Sequence, residues 1–298
     1  MRIAHISDLH FGTHVPELVE GLAVRLEELS PDLIIASGDF TMAGRHHEFA
    51  QAAAFLRRLR APVLAVPGNH DVPVYNLAER FTRPFARFRH YLSDITTTNH
   101  IGGGACVLGV NSARPWDLSF NWSHGHLSNR RVRITDRFFA RHQEVPFRAL
   151  VIHHPFYVPE EFPGFRTIGN GDAMMRVLAQ RGVQAVFAGH LHAQFVVSRE
   201  IALGDGPRSV VVMQVASVTS TRHRNQTNAF NLVEADGSGA VITAQAWSGS
   251  AYAPGEAKRI EWGAAAAPPR QEAAAETGVA PATIAETARP VVATEPHA

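Results

Sequence analysis

The sequence has very little cysteine and lysine and no long apolar run. Cys106 is the single cysteine among 298 residues, so no disulfide forms within one chain and no thiolate cluster can hold a metal. Met1 and Arg2 lead straight into a short strand-like run, without an apolar stretch of signal-peptide length. No later run approaches the roughly 18 apolar residues of a membrane span. These absences favour a cytoplasmic protein without a membrane segment.

An excess of either charge is also missing. Lys and Arg together number 28 and Asp and Glu 27, which gives a formal net charge of +1. That balance supplies no long-range attraction to nucleic acid or to an acidic membrane, and no basic stripe is evident in the linear sequence. Histidine, by contrast, occurs 17 times, so the positions of the histidines need explaining.

Short aliphatic runs alternate with amphipathic segments over the first two thirds of the chain. The runs are almost continuously apolar, which suits strands covered on both faces: RIAHIS (2–7), LIIAS (33–37), VLAV (63–66), VLGV (107–110), ALVIH (149–153) and AVFAG (185–189). Apolar residues at helical spacing predict helices over 17–29, 48–59 and 172–182. We also predict a helix interrupted near Pro84 over 75–92, and irregular structure over 111–133.

After residue 193 the pattern becomes that of hairpins. The runs QFVVSREIAL, RSVVVMQVAS, NAFNLVEAD and GAVITAQAW are separated by turn signals such as GDGP and ADGSG. We expect them to form or extend a second sheet packed on the first. The predicted fold class is therefore α/β, a four-layer α/β/β/α sandwich of two mixed sheets flanked by helices. Residues 263–298 are rich in Ala, Pro, Glu and Thr and predict a disordered tail, which leaves 1–262 as the domain.

Polar clusters share one kind of position, the C-terminal end of a predicted strand. The clusters are Asp8 with His10, Asp39, Asn69 with His70, His153 with His154, and His190 with His192. In open α/β sheets, ligands bind at the carboxyl ends of the strands. Five strand ends are therefore predicted to converge on one edge.

These residue types suit a divalent cation. Asp, His and Asn without Cys favour Mn²⁺, Fe²⁺ or Zn²⁺ over a thiolate-held metal. Asp8 with His10, and His190 with His192, are spaced two residues apart. In an extended segment this spacing puts both side chains on the same side, so that each pair can chelate a cation. Gly38, Gly68 and Gly189 let the backbone turn sharply and approach a cation closely. Each cluster alone is an ordinary turn or cap, and it is their joint occurrence that predicts a metal site.

The ordered set of motifs resembles the calcineurin-like metallophosphoesterase superfamily. Its pattern of D-x-H, G-D, G-N-H-D/E, H and G-H-x-H appears here as DLH (8–10), GD (38–39), GNHD (68–71), HHP (153–155) and GHLH (189–192). The resemblance covers roughly residues 1–250. It implies two divalent metal ions as cofactors, a shared hydroxide as nucleophile, and hydrolysis of a phosphoester.

The resemblance also implies roles for individual residues. One metal would take Asp8, His10, Asp39 and His192, and the second Asp39, Asn69, His153 and His190. The non-ligand histidine of the family corresponds to His70, which would protonate the leaving alkoxide or stabilise charge on the phosphoryl group. Asp71 would orient His70, as a carboxylate fixes the tautomer of an imidazole. Catalytic residues are thus His70 and Asp71.

Within the superfamily, the motifs are more similar to bacterial phosphodiesterases of the class III cyclic-nucleotide and glycerophosphodiester group. The Ser/Thr protein phosphatases carry GDxxDRG and GNHE, whereas this chain reads GDFTMAG and GNHD. The implied substrate is a small phosphodiester such as cyclic AMP or a glycerophosphodiester. A nuclease of the same superfamily and a metal-binding scaffold with a vestigial site remain as alternatives. A nucleic-acid partner is not expected, and the oligomeric state stays open, a homodimer included.

Other histidines are left with open or ordinary roles. The family pattern favours His153 as the ligand of the 153–154 pair, so His154 either supports the metal ligands or faces the substrate; an exchange of the two roles stays open. His124 and His126 either line the cleft or, as we favour, belong to a surface loop, and His5 is expected in the core.

Overall fold

The computed structural model describes residues 1–116, 121–221 and 227–263. The predicted tail lies outside these residues apart from Gly263. The strands are β1 Arg2–Ile6, β2 Leu33–Ala36, β3 Val63–Ala65, β4 Asn99–Gly102, β5 Ala105–Gly109, β6 Phe147–Val151, β7 Ala185–Ala188, β8 Phe195–Leu203, β9 Gly206–Gln214, β10 Ala229–Ala235, β11 Gly239–Trp247 and β12 Tyr252–Glu261. The helices are α1 Pro16–Leu29, α2 His46–Leu56, α3 Leu77–Thr82, α4 Ala86–Leu92, α5 Asn129–Ala140 and α6 Gly171–Gln180.

The strands form two mixed sheets of six. The first has the order β12-β11-β10-β1-β2-β3 and the second β4-β5-β6-β7-β9-β8. The strands β1, β2 and β3 run parallel, as do β5, β6, β7 and β9, while the remaining neighbours are antiparallel. The parallel block of the second sheet lies in its middle, whereas that of the first sheet ends at the edge strand β3.

Apolar side chains fill the spaces between four layers. One buried cluster lies between the sheets and includes Ile35, Val151 and Phe187. A second joins the first sheet to α1 and α2, and a third joins the second sheet to α5 and α6. Strands covered on both faces need apolar residues at every position, which explains the continuous runs in the sequence. The predicted α/β/β/α architecture is confirmed.

The late hairpins are divided between the two sheets. Strands β8 and β9 complete the second sheet, whereas β10, β11 and β12 extend the first, with Arg2 opposite Glu234 in an antiparallel pair. The break predicted near Pro84 separates α3 from α4.

The sequence interpretation missed three elements, which are β4, β12 and α5. Strand β12 contains Pro254 and Gly255, which are tolerated because it is an edge strand beside a bulged neighbour. Helix α5 begins inside the segment predicted to be irregular, with Ser128 accepting a hydrogen bond from the backbone N–H of Arg131 at 3.3 Å. Among the described residues, no helix has both the length and the apolar composition needed to cross a membrane.

Candidate metal centre

The predicted ligands have an unusual backbone conformation. Seven described residues other than glycine have a positive φ, and five of them are predicted ligands: Asp8 (55°), His10 (47°), Asp39 (54°), His190 (77°) and His192 (53°). This left-handed region is sparsely populated for residues with a side chain, and such strain clusters at functional sites. Strands β1, β2 and β7 are therefore each followed by a sharp bend at the predicted ligands.

The first ligand cluster gathers Asp8, His10 and His192. All three are buried, and one potential ligand atom from each lies within 4.8 Å of the others. Oδ1 of Asp8 is 3.6 Å from Nε2 of His10 and 3.2 Å from Nε2 of His192. The two imidazole nitrogens are 3.2 Å apart. These three atoms converge as the ligands of a single ion would.

The second cluster gathers Asp39, Asn69 and His153. Nε2 of His153 lies 3.3 Å from Oδ2 of Asp39 and 3.2 Å from Oδ1 of Asn69. The ring of His190 is perpendicular to that of His153, with centroids 5.2 Å apart. The same Oδ2 of Asp39 is 3.9 Å from Nε2 of His10 in the first cluster. All seven predicted ligands thus lie in one polar pocket, with Asp39 between the clusters.

Hydrogen bonds from behind orient the ligands. Nδ1 of His153 donates to the carbonyl oxygen of Ser37 at 2.7 Å, and Nδ1 of His10 donates to that of Thr41 at 3.3 Å. With Nδ1 protonated in this way, the lone pair of Nε2 is free to bind a cation. Oδ2 of Asp8 accepts from the backbone N–H of His190 at 3.0 Å, which leaves Oδ1 for the cluster.

Glycine is required where the backbone approaches these ligands. A Cβ atom on Gly68 would lie 2.0 Å from Oδ1 of Asp39, and one on Gly189 would lie 2.7 Å from Oδ2 of Asp8. Gly38 has a φ of +104°, and its Cβ would lie 2.6 Å from Nδ1 of His153. The three glycines therefore lie against the candidate ligands, and their predicted close approach to a cation stays a prediction.

The pKa values follow from burial and mutual charge. Burial opposes ionisation of Asp8, but the charge of His192 and the nearby ring of His10 hold the pKa of Asp8 well below the usual range. Burial also opposes ionisation of Asp39, but the charge of His153 lowers the pKa of this carboxyl group. Burial, followed by the charge of His153, lowers the pKa of His190 to about 3. Burial opposes protonation of His153, but the charge of Asp39 raises the pKa of this imidazole to about 9. Because a metal binds ionised carboxylates and neutral imidazole, His153 must release a proton when a cation binds.

The donor set fits divalent cations. Oxygen and imidazole nitrogen ligands meet in a buried space, and Oδ1 of Asp8 accepts no hydrogen bond of good geometry from the described residues. A buried carboxylate oxygen in that state is costly unless a cation or water completes it. The residues present are thus suited to Mn²⁺, Fe²⁺ or Zn²⁺ chemistry.

The expected pairing of Asp71 with His70 is wrong. Nδ1 of His70 donates instead to the carbonyl oxygen of Met42 at 2.7 Å. The carboxylate of Asp71 accepts from the backbone N–H of Gly68 at 2.9 Å and from the N–H and hydroxyl of Thr41 at 3.0 and 2.9 Å. Burial and the charge of Asp39 raise the pKa of Asp71 to about 7. Asp71 therefore fixes the turns that carry Asp39 and His70, while a backbone carbonyl orients His70.

His154 lies among the candidate ligands, because one potential ligand atom from each of His153, His154 and His190 lies within 4.8 Å of the others. Its Nδ1 forms a 2.7 Å hydrogen bond with Oγ of Ser112, and its ring centroid is 4.7 Å from that of His190. Burial lowers its pKa well below the usual value. Sequence reasoning missed both Ser112 and Met42, because neither belongs to a motif.

The remaining histidines have peripheral positions. His5 is buried against Ser37, as expected, with Nε2 2.9 Å from Oγ. His126 is exposed and His124 half-buried in the segment before α5.

Two sheets whose strand ends gather buried carboxylates and imidazoles define a metal-dependent hydrolase. A model of the calcineurin-like phosphoesterase family matches residues 1–194, and the chain belongs to that family. The dimetal phosphatase of Danio rerio has the same fold, with a TM-score of 0.58, 13% identity, and coverage of 88% of this chain and 99% of that one.

The curated relatives match only part of this chain and only part of their own length. The chain is 38% identical over 82 residues to the glycerophosphodiester phosphodiesterase GpdQ of Enterobacter lignolyticus, which is 24% of this chain and 30% of that protein. It is 33% identical over 215 residues to the UDP-2,3-diacylglucosamine pyrophosphatase LpxG of Chlamydia muridarum, covering 64% and 63%. A probable cyclic nucleotide phosphodiesterase of Synechococcus is 24% identical over 211 residues, covering 67% and 76%. The chain spans less than a third of the first relative and less than two thirds of the second.

Proposed function

We propose that this protein hydrolyses small phosphodiesters with two divalent cations, and that residues 1–262 form the catalytic domain. The placement of Asp39 is the observation that carries the proposal. Its Oδ2 lies 3.3 Å from Nε2 of His153 and 3.9 Å from Nε2 of His10. One carboxylate therefore faces both ligand clusters, as a ligand shared by two cations must.

The ligands divide into two sets that share this carboxylate. Asp8, His10, Asp39 and His192 hold one cation, and Asp39, Asn69, His153 and His190 hold the other. When bound, the cations polarise the phosphoryl oxygens and make water a better nucleophile at neutral pH. Hydrogen bonds to backbone groups fix the orientation of the ligand side chains, so that their free atoms point towards the cations.

His70 is the proposed proton donor. It is half-buried beside the first cluster, with its ring perpendicular to that of His10 at 4.9 Å. Nδ1 is hydrogen-bonded to the carbonyl oxygen of Met42, so Nε2 is the nitrogen that we assign as the proton donor. The protonated ring gives its Nε2 proton to the leaving oxygen as the P–O bond to that oxygen breaks. Water supplies the new P–O bond, and the products are a phosphomonoester and an alcohol.

The names of the relatives support the substrate class. A glycerophosphodiesterase and probable cyclic nucleotide phosphodiesterases are among the matches. Pyrophosphate hydrolysis is a second candidate, because the long match to LpxG is 33% identical over 215 residues. Both reactions cleave a disubstituted phosphate, so the same centre serves either.

The test combines metal removal with two variants. Chelator-treated protein should lose hydrolysis of bis(p-nitrophenyl) phosphate and regain it with Mn²⁺. Asp39→Ala should abolish metal-dependent turnover and weaken the binding of Mn²⁺ measured by calorimetry. His70→Ala should keep metal binding and lower kcat by about 10²- to 10⁴-fold, the usual contribution of a general acid.

Each alternative has its own outcome. Full activity of the Asp39 variant would contradict the proposal, and metal binding without turnover of any ester would identify a vestigial scaffold. Loss of metal binding in His70→Ala would make His70 a ligand. A panel of cyclic AMP, glycerophosphodiesters, UDP-sugar pyrophosphates and single-stranded DNA separates the small-diester, pyrophosphate and nuclease activities.

A further inference from the structure

Helix α5 carries a row of exposed arginines along one face. Arg130, Arg133, Arg137 and Arg141, the residue that ends the helix, are all exposed. At about 100° per residue their side chains fall within a sector of roughly 80°, and they extend over about 16 Å of the helix axis. We call this the arginine face. It was not evident in the linear sequence because helical geometry is needed to align the four positions.

The arginines of this face have no carboxylate partner among the described residues. Some exposed arginines elsewhere are paired, for example Arg57 with Asp94 at 3.2 Å and Arg58 with Glu20 at 2.6 Å. The single carboxylate of α5 is Asp136, which points to another element and meets Arg181 at 2.7 Å. The face is therefore an unneutralised positive surface on a chain whose net charge is only +1.

This arrangement works against the helix that carries it. The first turn of α5 has no acidic residue, and positive charges there oppose the helix dipole. Arg133, Arg137 and Arg141 succeed one another at spacings of four, so like charges are neighbours. An anionic partner would remove both penalties at once.

An aliphatic side chain borders the arginine face, about 20° outside its sector. Ile134 is 48% exposed, whereas Thr135 and Phe139 on the opposite side of α5 are buried. A basic helix face with an exposed apolar residue is typical of helices that lie in a lipid interface. The phosphates of a nucleic acid could also bind the arginines, but a nucleic-acid backbone has no apolar layer that Ile134 could contact.

The N-terminal end of α5 lies beside the metal centre. Arg131 donates to the carbonyl oxygen of His126 at 3.5 Å, and the neighbouring Gly125 packs so closely on His154 that a Cβ would lie 2.3 Å from the imidazole. The ring of His154 is in turn 4.7 Å from that of His190. A surface bound along α5 would thus extend towards the candidate active site.

We propose that the arginine face, with Ile134, docks this protein on an anionic phospholipid surface. Charge complementarity fixes the occupant as an array of headgroup phosphates, and the exposed isoleucine fits the apolar layer beneath them. Docking is independent of the chemistry proposed above and leaves hydrolysis of soluble esters unchanged.

Vesicle sedimentation with the full chain tests the proposal. The protein should bind phosphatidylcholine vesicles that contain about 30% phosphatidylglycerol, but not pure phosphatidylcholine, and added salt should release it. Replacing the four arginines with Gln should lower the partition coefficient at least about 100-fold, since each basic residue near an anionic membrane contributes roughly 5-fold. Ile134→Ser should lower it by about 3- to 10-fold.

A charge-matched variant provides the control. Gln at Arg60, Arg89, Lys258 and Arg259 removes the same charge from exposed sites elsewhere and should leave vesicle binding within about 3-fold of the parent. Unchanged circular dichroism and unchanged hydrolysis of bis(p-nitrophenyl) phosphate would show that both variants are folded. Absence of vesicle binding, or equal loss in the two variants, would overturn the proposal. Tighter binding of an oligonucleotide that is lost in the arginine-face variant would overturn it in favour of nucleic acid.

Discussion

Gly68→Ala tests the geometry of the candidate centre with a single added methyl group. Gly68 does not have a left-handed φ, so alanine adds no backbone strain there. Its Cβ, however, would lie 2.0 Å from Oδ1 of Asp39 and 2.5 Å from the backbone nitrogen of Asp39. Ordinary contacts begin at 3.4 Å, so the carboxylate must move by more than 1 Å.

The expected loss follows from that displacement. Oδ1 of Asp39 also accepts a hydrogen bond from the backbone N–H of His70 at 2.8 Å, so the shift disturbs the proposed shared ligand and the proposed proton donor together. A misplacement of about 1 Å costs roughly 10²-fold in rate. We therefore expect kcat/KM to fall at least about 100-fold, equivalent to about 2.7 kcal/mol.

The assay is hydrolysis of bis(p-nitrophenyl) phosphate in Mn²⁺, with Mn²⁺ affinity measured on the same samples. Gly204→Ala is the matched control, because its Cβ would meet nothing within 4 Å. Gly189→Ala, whose Cβ would lie 2.0 Å from Oγ of Ser7, should likewise weaken the Asp8 cluster. Folded Gly68→Ala protein with parental activity and metal affinity would refute the placement of Asp39.

Three further predictions concern buried groups. Arg80→Met should lower the free energy of unfolding by about 3 kcal/mol, because the buried guanidinium donates to two backbone carbonyls, and exposed Arg83→Met should have little effect in the same urea titration. The Cys106 thiol is buried and its pKa is raised to about 11, so it should react with a thiol reagent at pH 8 only after unfolding by guanidinium; rapid labelling of the folded protein would contradict its position. Tyr252→Phe should cost about 1 kcal/mol in the urea titration, because it removes a buried hydroxyl that donates to a backbone carbonyl; an unchanged midpoint would count against that bond.

Local sequence patterns predicted the central strands because those strands are buried on both faces. A run such as LIIA in β2 has no polar residue to satisfy and no turn signal inside it. Strand β12 is mostly exposed and contains Pro254, so its residues resemble a loop. Its pairing with β11 is a long-range event that no local pattern records. Helix α5 was missed because its charged residues outnumber the few that it buries.

The contacts of Asp71 could not be predicted from the motif. Adjacency in GNHD made Asp71 a natural partner for His70, but successive side chains need not face one another. The turn directs Asp71 to the backbone N–H groups of Gly68 and Thr41, and His70 to the carbonyl of Met42. Backbone groups are present at every residue, so no sequence pattern could single out this carbonyl.

By itself, the sequence determined the kind of chemistry. Asp, His and Asn at five strand ends, with no thiolate available, predict an oxygen- and nitrogen-ligated cation site, because residue type fixes the ligand atoms. Only the tertiary structure decided which atoms meet. It placed Asp39 between the clusters of His10 and His153 and aligned the arginine face of α5. Both depend on strand order and helix rotation, which the packing of two sheets sets through contacts between residues more than 100 positions apart.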